Sequence, residues 1–151
     1  MKILHLDKSS ASQQIIKDFI STHEHLLPDP FSLHVDLNAY AEKLNTFGDT
    51  FVVSDNDKIV GLVSGYINDI TTKEAYLQII IVAREAQGKG YATLLIHEFV
   101  NCAKNRFTSG KVYLTVDRIN EKAANVYKHL GFVKSERQHA NINKQIMVYN
   151  F

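Results

Sequence analysis

The chain has 151 residues, with seventeen Lys and Arg against sixteen Asp and Glu, a formal charge of +1 and 45% hydrophobic content. That length suits one domain over residues 1–151, and the near-zero charge disfavours a sequence-blind nucleic-acid binder, which draws on many unpaired cations. The single cysteine, Cys102, excludes an internal disulfide framework and a Cys-rich zinc site. No apolar run approaches the roughly 20 residues a membrane helix needs, and Met1 to Asp7 is too short an apolar stretch for a signal peptide. The expectation is a soluble cytoplasmic domain with no nucleic-acid or membrane partner.

Ile3, Leu4 and Leu6 open the chain as a short strand. Ser9, Ser10 and Ser12 offer N-caps to a helix carrying Ile15, Ile16, Phe19 and Ile20 on one stripe, ending before Pro28 and Pro30. A second helix opens at Asp36, buries Leu37, Tyr40, Ala41 and Leu44, and stops at Gly48. From Phe51 the period changes to two, with Asp55-Asn56-Asp57-Lys58 marking a hairpin between strands. A third strand, Ala75 to Val82, ends in the run Ile79-Ile80-Ile81-Val82 expected of a strand covered on both faces. Period-two alternation places Tyr76, Gln78, Ile80 and Val82 on one face. A Gly-bearing loop, Arg84 to Gly90, leads into a helix from Tyr91; Val112 to Val116 is a strand, Glu121 to Leu130 a helix, and Phe132-Val133 and Ile146 to Tyr149 the last strands. The order βααβββαβαββ describes an α/β (α+β) domain with one mixed sheet and helices on its faces.

The chemistry concentrates at Gln87-Gly88-Lys89-Gly90-Tyr91-Ala92, between a strand and a helix. Small residues admit a close backbone approach, and the helix start turns unpaired N–H groups toward the same space, a site suited to phosphate or pyrophosphate. The alternative is a tight turn that needs glycine for its dihedrals alone. A dinucleotide fingerprint wants a third small residue where Thr93 stands, and a P-loop wants Ser or Thr after Lys89, where Gly90 stands. Neither fits.

That segment resembles the Q/R-x-x-G-x-G/A motif of the GCN5-related N-acetyltransferases (GNAT). Val116-x-x-x-Asn120-x-x-Ala123-x-x-x-Tyr127-x-x-x-Gly131-Phe132 is similar to the same family's second signature, in the right order. The resemblance covers about Phe51 to Phe132. It implies a mostly antiparallel sheet whose central strands splay apart, and acetyl-CoA as co-substrate with no metal. It further implies that Gln87, Gly88, Lys89, Gly90, Tyr91, Ala92 and Thr93 hold the pyrophosphate. Peptide groups of Ile80, Ile81 and Val82 would bond the pantetheine arm, which Asn120 and Ala123 would flank. Tyr127 would protonate the departing thiolate. Read from the residues alone, Asn120 is equally a helix N-cap and Tyr127 a half-buried core aromatic.

No general base is assigned. The family's strand glutamate corresponds here to Tyr76, while Glu74, Asp69 and Asp117 are turn carboxylates within reach of a water relay. His23-Glu24-His25 lacks a third metal ligand and reads as a surface cluster, and Cys102 as packing. The function expected is transfer of an acetyl group from acetyl-CoA to a primary amine, of a small molecule rather than a protein, by direct attack in a ternary complex. The alternatives are a silent acyl-CoA sensor or a protein N-terminal or lysine acetyltransferase. Acceptor specificity is expected from Phe31, His34, Tyr40, Tyr66, Asp69 and the Pro28-Asp29-Pro30 connection, and a homodimer through Ile146, Val148 and Phe151.

Overall fold

The computed structural model describes residues 1–27 and 36–151, so Pro28, Asp29, Pro30, Phe31 and His34 lie outside the described residues. The elements are β1 (Lys2–His5), α1 (Ser10–His23), α2 (Leu37–Phe47), β2 (Asp49–Asp55), β3 (Lys58–Asp69), β4 (Glu74–Val82), α3 (Tyr91–Phe107), β5 (Lys111–Asp117), α4 (Glu121–His129), β6 (Val133–Lys134) and β7 (Lys144–Asn150). Their order is the one expected from the hydrophobic periods.

Local chemistry sets the boundaries. The Ser9 hydroxyl caps α1 by accepting the Ser12 N–H, and the Asp36 carboxylate caps α2 by accepting the Ala39 N–H. Asn56 and Asp57 both take positive φ, the requirement of a type I′ turn, and so close the β2–β3 hairpin. The sheet runs β1-β2-β3-β4-β5-β7-β6. Its neighbours are antiparallel except β4 and β5, which lie parallel.

Helices cover both faces. Ile16, Phe19, Ile20, Ala41 and Leu44 from α1 and α2 pack on Val52, Leu62, Ile79 and Ile81. Leu95, Phe99 and Ala103 of α3 pack on the opposite face against Val53, Val63, Leu77 and Leu114, with Ala123 and Tyr127 of α4 beside them. Burying one such Leu, Ile or Phe is worth about 1.5–3 kcal/mol, so each core is set by a handful of positions at helical spacing.

Two irregularities in β4 shape the site. The ladder with β3 pairs Ser64 with Ile79 but Gly65 with Leu77, leaving Gln78 as an extra residue, a β-bulge. Gly65 is required there, because a Cβ on it would collide with the Tyr76 carbonyl and crowd the Phe99 ring. The bulge reverses the alternation. Ala75 and Leu77 belong to the α3 core while Ile79 and Ile81 belong to the α1/α2 core. Tyr76 therefore does not share a face with Ile80 and Val82, contrary to the unbroken period of two. The second irregularity is on the other edge of β4. Glu74, Ala75 and Tyr76 pair with Lys111, Val112 and Tyr113, and pairing then stops. From Leu77 to Val82 the two parallel strands splay, and β4 presents an unpaired edge.

Candidate active site

A cavity of about 410 Å³ lies on the α3 side of the splay. It is lined by Ile80 and Val82 of β4, by Gln87, Gly88, Gly90, Tyr91, Ala92 and Thr93 at the start of α3, and by Asn120, Ala123 and Tyr127 of α4. Ile81 and Lys89 are the two expected residues that do not line it. The Ile81 side chain packs in the α1/α2 core, and the Lys89 ammonium stands 4.0 Å from the Asp55 carboxylate.

Backbone direction divides the β4 edge further. Ala83 donates its N–H to the Val60 carbonyl at 2.8 Å, so in the alternating antiparallel ladder Ala83 and Ile81 direct their peptide groups toward β3. Ile80 and Val82 direct theirs into the gap. The Gln87 amide donates to the Val82 carbonyl at 3.1 Å, which leaves the Val82 N–H and both Ile80 groups for a bound chain. Gln87 thus ties the loop to the strand.

The loop delivers its glycines in the left-handed region, with φ of 81° at Gly88 and 83° at Gly90, the residue preceding the first turn of α3. Nothing stands within 4 Å of where a Cβ on either would lie, so the space beside them is open to a ligand. The first N–H groups of α3 have no intrahelical acceptor and carry the positive end of its dipole. A pyrophosphate suits that donor set. Tyr91 donates its hydroxyl to Asp55 at 2.8 Å and fixes the first turn.

On α4, the Asn120 side-chain oxygen accepts the Ala123 N–H at 3.1 Å, so the capping reading of Asn120 holds, with its amide N–H₂ left to donate into the cavity. Tyr127 packs tilted beside Phe132, ring centroids 6.1 Å apart, and its hydroxyl has no partner among the described residues. Burial pushes its pKa above the ordinary phenol value. The group is therefore protonated at neutral pH, the state a proton donor needs.

A second cavity of about 390 Å³ opens on the other face of the same splay, lined by Tyr76, Leu77, Gln78, Tyr113, Leu114, Thr115, Arg137, His139, Lys144 and Ile146. Opposed cavities thus flank the unpaired stretch of β4. Tyr40, Tyr66 and Asp69, expected at an acceptor pocket, line neither cavity. The tyrosines pack against the α1/α2 core, and Asp69 accepts the Thr72 N–H in a turn. Arg137 and Tyr113 went unnoticed in the sequence, since no motif surrounds them. Glu74 is not a free base: the Arg137 guanidinium and the Tyr76 hydroxyl hold its carboxyl below the usual range. Asp117 is bonded to Lys144 at 2.7 Å. His23, from the expected surface cluster, bonds the Phe19 carbonyl at 2.9 Å.

Among the described residues His5, Asp49 and Cys102 form the one cluster of potential metal ligands. Arg106 already supplies the positive charge there, donating to both Asp49 oxygens at 2.7 and 3.3 Å. Burial would raise the Asp49 carboxyl, but Arg106, with Lys8 and His5, brings it below its ordinary value. The cluster is a scaffold ion pair tying β2 to α3.

The profile of the acetyltransferase (GNAT) family matches residues 13–132. The chain belongs to that family. The GNAT match spans the splayed sheet, the glycine loop and α4, and the residues around the first cavity fit a coenzyme A arm: open glycines, unpaired helix N–H groups and a free strand edge. The chain is 29% identical over 128 residues to the N-alpha-acetyltransferase 30 of Schizosaccharomyces pombe, covering 83% of each. It is 39% identical over 85 residues to the spermidine N(1)-acetyltransferase of Vibrio cholerae, covering 56% of this chain and 49% of that one. The match thus spans about half the length of that relative. The PaiA N-acetyltransferase of Thermoplasma acidophilum, solved in complex with coenzyme A, superposes over the full length of both chains with a TM-score of 0.71 at 14% identity. Family and fold support an acetyl-CoA-dependent N-acetyltransferase. No described helix is long and apolar enough to cross a membrane.

Proposed function

We propose that this GNAT protein transfers the acetyl group of acetyl-CoA to the primary amine of a small molecule, by direct attack within a ternary complex in the cytosol. The observation that carries the reading is the pair of cavities flanking the β4/β5 splay, with Tyr127 lining the one on the α3 side. The α3 amides would hold the pyrophosphate, and the Ile80 and Val82 edge would hold the pantetheine as an added strand. Acetyl-CoA supplies the activated acyl group. The amine nitrogen forms the new bond as the carbon–sulfur bond breaks. Tyr127 supplies a proton to the leaving thiolate, and the amine's proton departs to water through the open second cavity. Rate would come chiefly from positioning amine and thioester together.

The relatives named for spermidine acetylation support a small amine. The fission-yeast relative, matched over 83% of both chains, favours a second reading, acetylation of a protein amino terminus. Thiol release from acetyl-CoA, measured with small amines and with a short peptide bearing a free amino terminus, tests both. No release with any acceptor, alongside intact coenzyme A binding, would leave the silent sensor instead. A dimer through β7 would rest on Ile146 and Phe151, because Val148 is buried within its own chain. Sedimentation at high micromolar concentration should show it, and a monomer there removes it.

A further inference from the structure

The second cavity has a charge character that polyamines do not match. Its basic lining is Arg137, His139 and Lys144, its other titratable groups are the phenols of Tyr76 and Tyr113, and among the described residues no carboxylate lines it. Lys144 is compensated by Asp117. His139 accepts the Asn141 N–H on Nδ1, which leaves Nε2 as a donor. Arg137 is the group held in place. It donates to both Glu74 oxygens at 2.6 and 3.1 Å and to the Tyr76 hydroxyl at 3.3 Å. Its guanidinium carbon lies 4.2 Å from the centre of the Tyr113 ring.

Those bonds use three of the five N–H donors of a guanidinium. The remaining two, on Nε and Nη2, meet no partner among the described residues, and the side chain is 48% exposed. Glu74 is only 14% exposed and does not line the cavity, so it positions the guanidinium and does not greet a ligand. A cation fixed on an aromatic ring with two spare planar donors is matched to an oxyanion, and little side-chain freedom is lost when one binds. Leu77 and Leu114, the first residues past the last β4–β5 pair, line the same cavity where the strands splay. A molecule bound at Arg137 would therefore present its remaining end to the transfer point.

We propose that the acceptor carries an oxyanion, a carboxylate or phosphate, apart from its amine, and that Arg137 is the specificity-determining residue that binds it. This rests on the transferase reading for the fate of the amine, but not for the binding itself. A polyamine would have to set an ammonium group against this guanidinium.

The test compares matched acceptors that differ in one charge: 4-aminobutanoate with 1,4-diaminobutane, and glucosamine 6-phosphate with glucosamine. Affinity for the coenzyme A-loaded protein is read by calorimetry, and turnover by thiol release. The anionic member of at least one pair should bind more tightly, and which pair separates carboxylate from phosphate. Arg137→Gln should weaken that member on the order of 10- to 100-fold, with kcat nearly unchanged and the uncharged or cationic partner unaffected. Arg137→Lys, which keeps the charge but not the planar fork, should restore part of the loss, and melting curves confirm that both variants are folded. Preference for the diamine, no binding of either anionic member at millimolar concentration, or equal losses for both members in Arg137→Gln would overturn the proposal. Selective binding without thiol release would sink the transferase reading and leave this one standing.

Discussion

The two sides of the splay are built in opposite ways. On the α3 side the working parts are mainly main-chain groups: amides at a helix start, glycines in the left-handed region and the peptide edge of Ile80 and Val82. They arise from contiguous sequence, and side-chain identity matters mostly by staying small. On the other side Tyr76, Tyr113 and Arg137 converge from β4, β5 and the β6–β7 connection, with Glu74 holding Arg137 in place, and it is side chains that shape the cavity. A cradle for an invariant cofactor can be written locally. The opposite cavity is assembled from afar.

The contrast can be broken most severely at Gly90. In Gly90→Glu a carboxylate would face the pyrophosphate from the open space beside the backbone. Such like-charge contact costs several kcal/mol, so coenzyme A affinity should fall by about a hundredfold or more. Calorimetry on folded protein that finds affinity unchanged would move the phosphate site elsewhere. Affinity for an oxyanion at the second cavity should survive, since no residue is shared.

Tyr127→Phe probes the one side chain asked to do chemistry on the α3 side. The ring packing on Phe132 is kept and the hydroxyl lost, so kcat should fall by roughly 10² while coenzyme A affinity holds. The lower end of the general-acid range is expected because a thiol of pKa about 8.5 is already a fair leaving group. Wild-type kcat with a true acceptor would remove the acid role.

Asp49→Asn tests the frame that supports both cavities and touches neither. Asp49 is 5% exposed, and losing its bonds to Arg106 should cost about 2 kcal/mol of stability without changing coenzyme A affinity. Its folded carboxyl lies below the ordinary value, so its contribution is present above about pH 4 and is lost as pH falls through the folded pKa. The variant should therefore show a flatter decline of Tm with acid than the wild type. An identical decline would mean that another group carries the acid limb.

The smallest effect expected separates two duties of one residue. Asn120→Asp keeps the oxygen that caps α4 but removes the amide donor facing the cavity. Tm should hold while KM for acetyl-CoA rises about 2- to 10-fold, the worth of one ordinary hydrogen bond. A drop in Tm with KM unchanged would leave Asn120 a cap and nothing more.

Legibility followed the same division. The order of elements, the capping residues Ser9 and Asp36, the Asn56-Asp57 turn and the glycine loop were all readable, because each depends on neighbours within a few residues. Arg137 was not, because its partners are Glu74, Tyr76 and Tyr113, and nothing near it in sequence announces them. Tyr40 and Tyr66 are ambiguous in sequence for the complementary reason. An aromatic on a helix or strand fits a core as well as a pocket, and only the packing of α1 and α2 decides. The face of Tyr76 was misread because strand alternation carries no mark of where an extra residue enters.

That extra residue, Gln78, has a wider consequence. The four residues after it, Ile79 to Val82, are all β-branched and of similar size, so the cores on the two faces would accept either parity of this run almost equally well. Hydrophobicity leaves the phase of the strand undetermined. The inserted residue fixes it, and with it which peptide groups look into the gap. Deleting Gln78 would keep Ser64 opposite Ile79 and Gly65 opposite Leu77, and so the same phase, whereas pairing Gln78 regularly in the ladder could preserve a well-filled interior and still turn the Ile81 groups toward the cofactor arm in place of those of Ile80 and Val82. The molecule would fold and no longer offer the same edge.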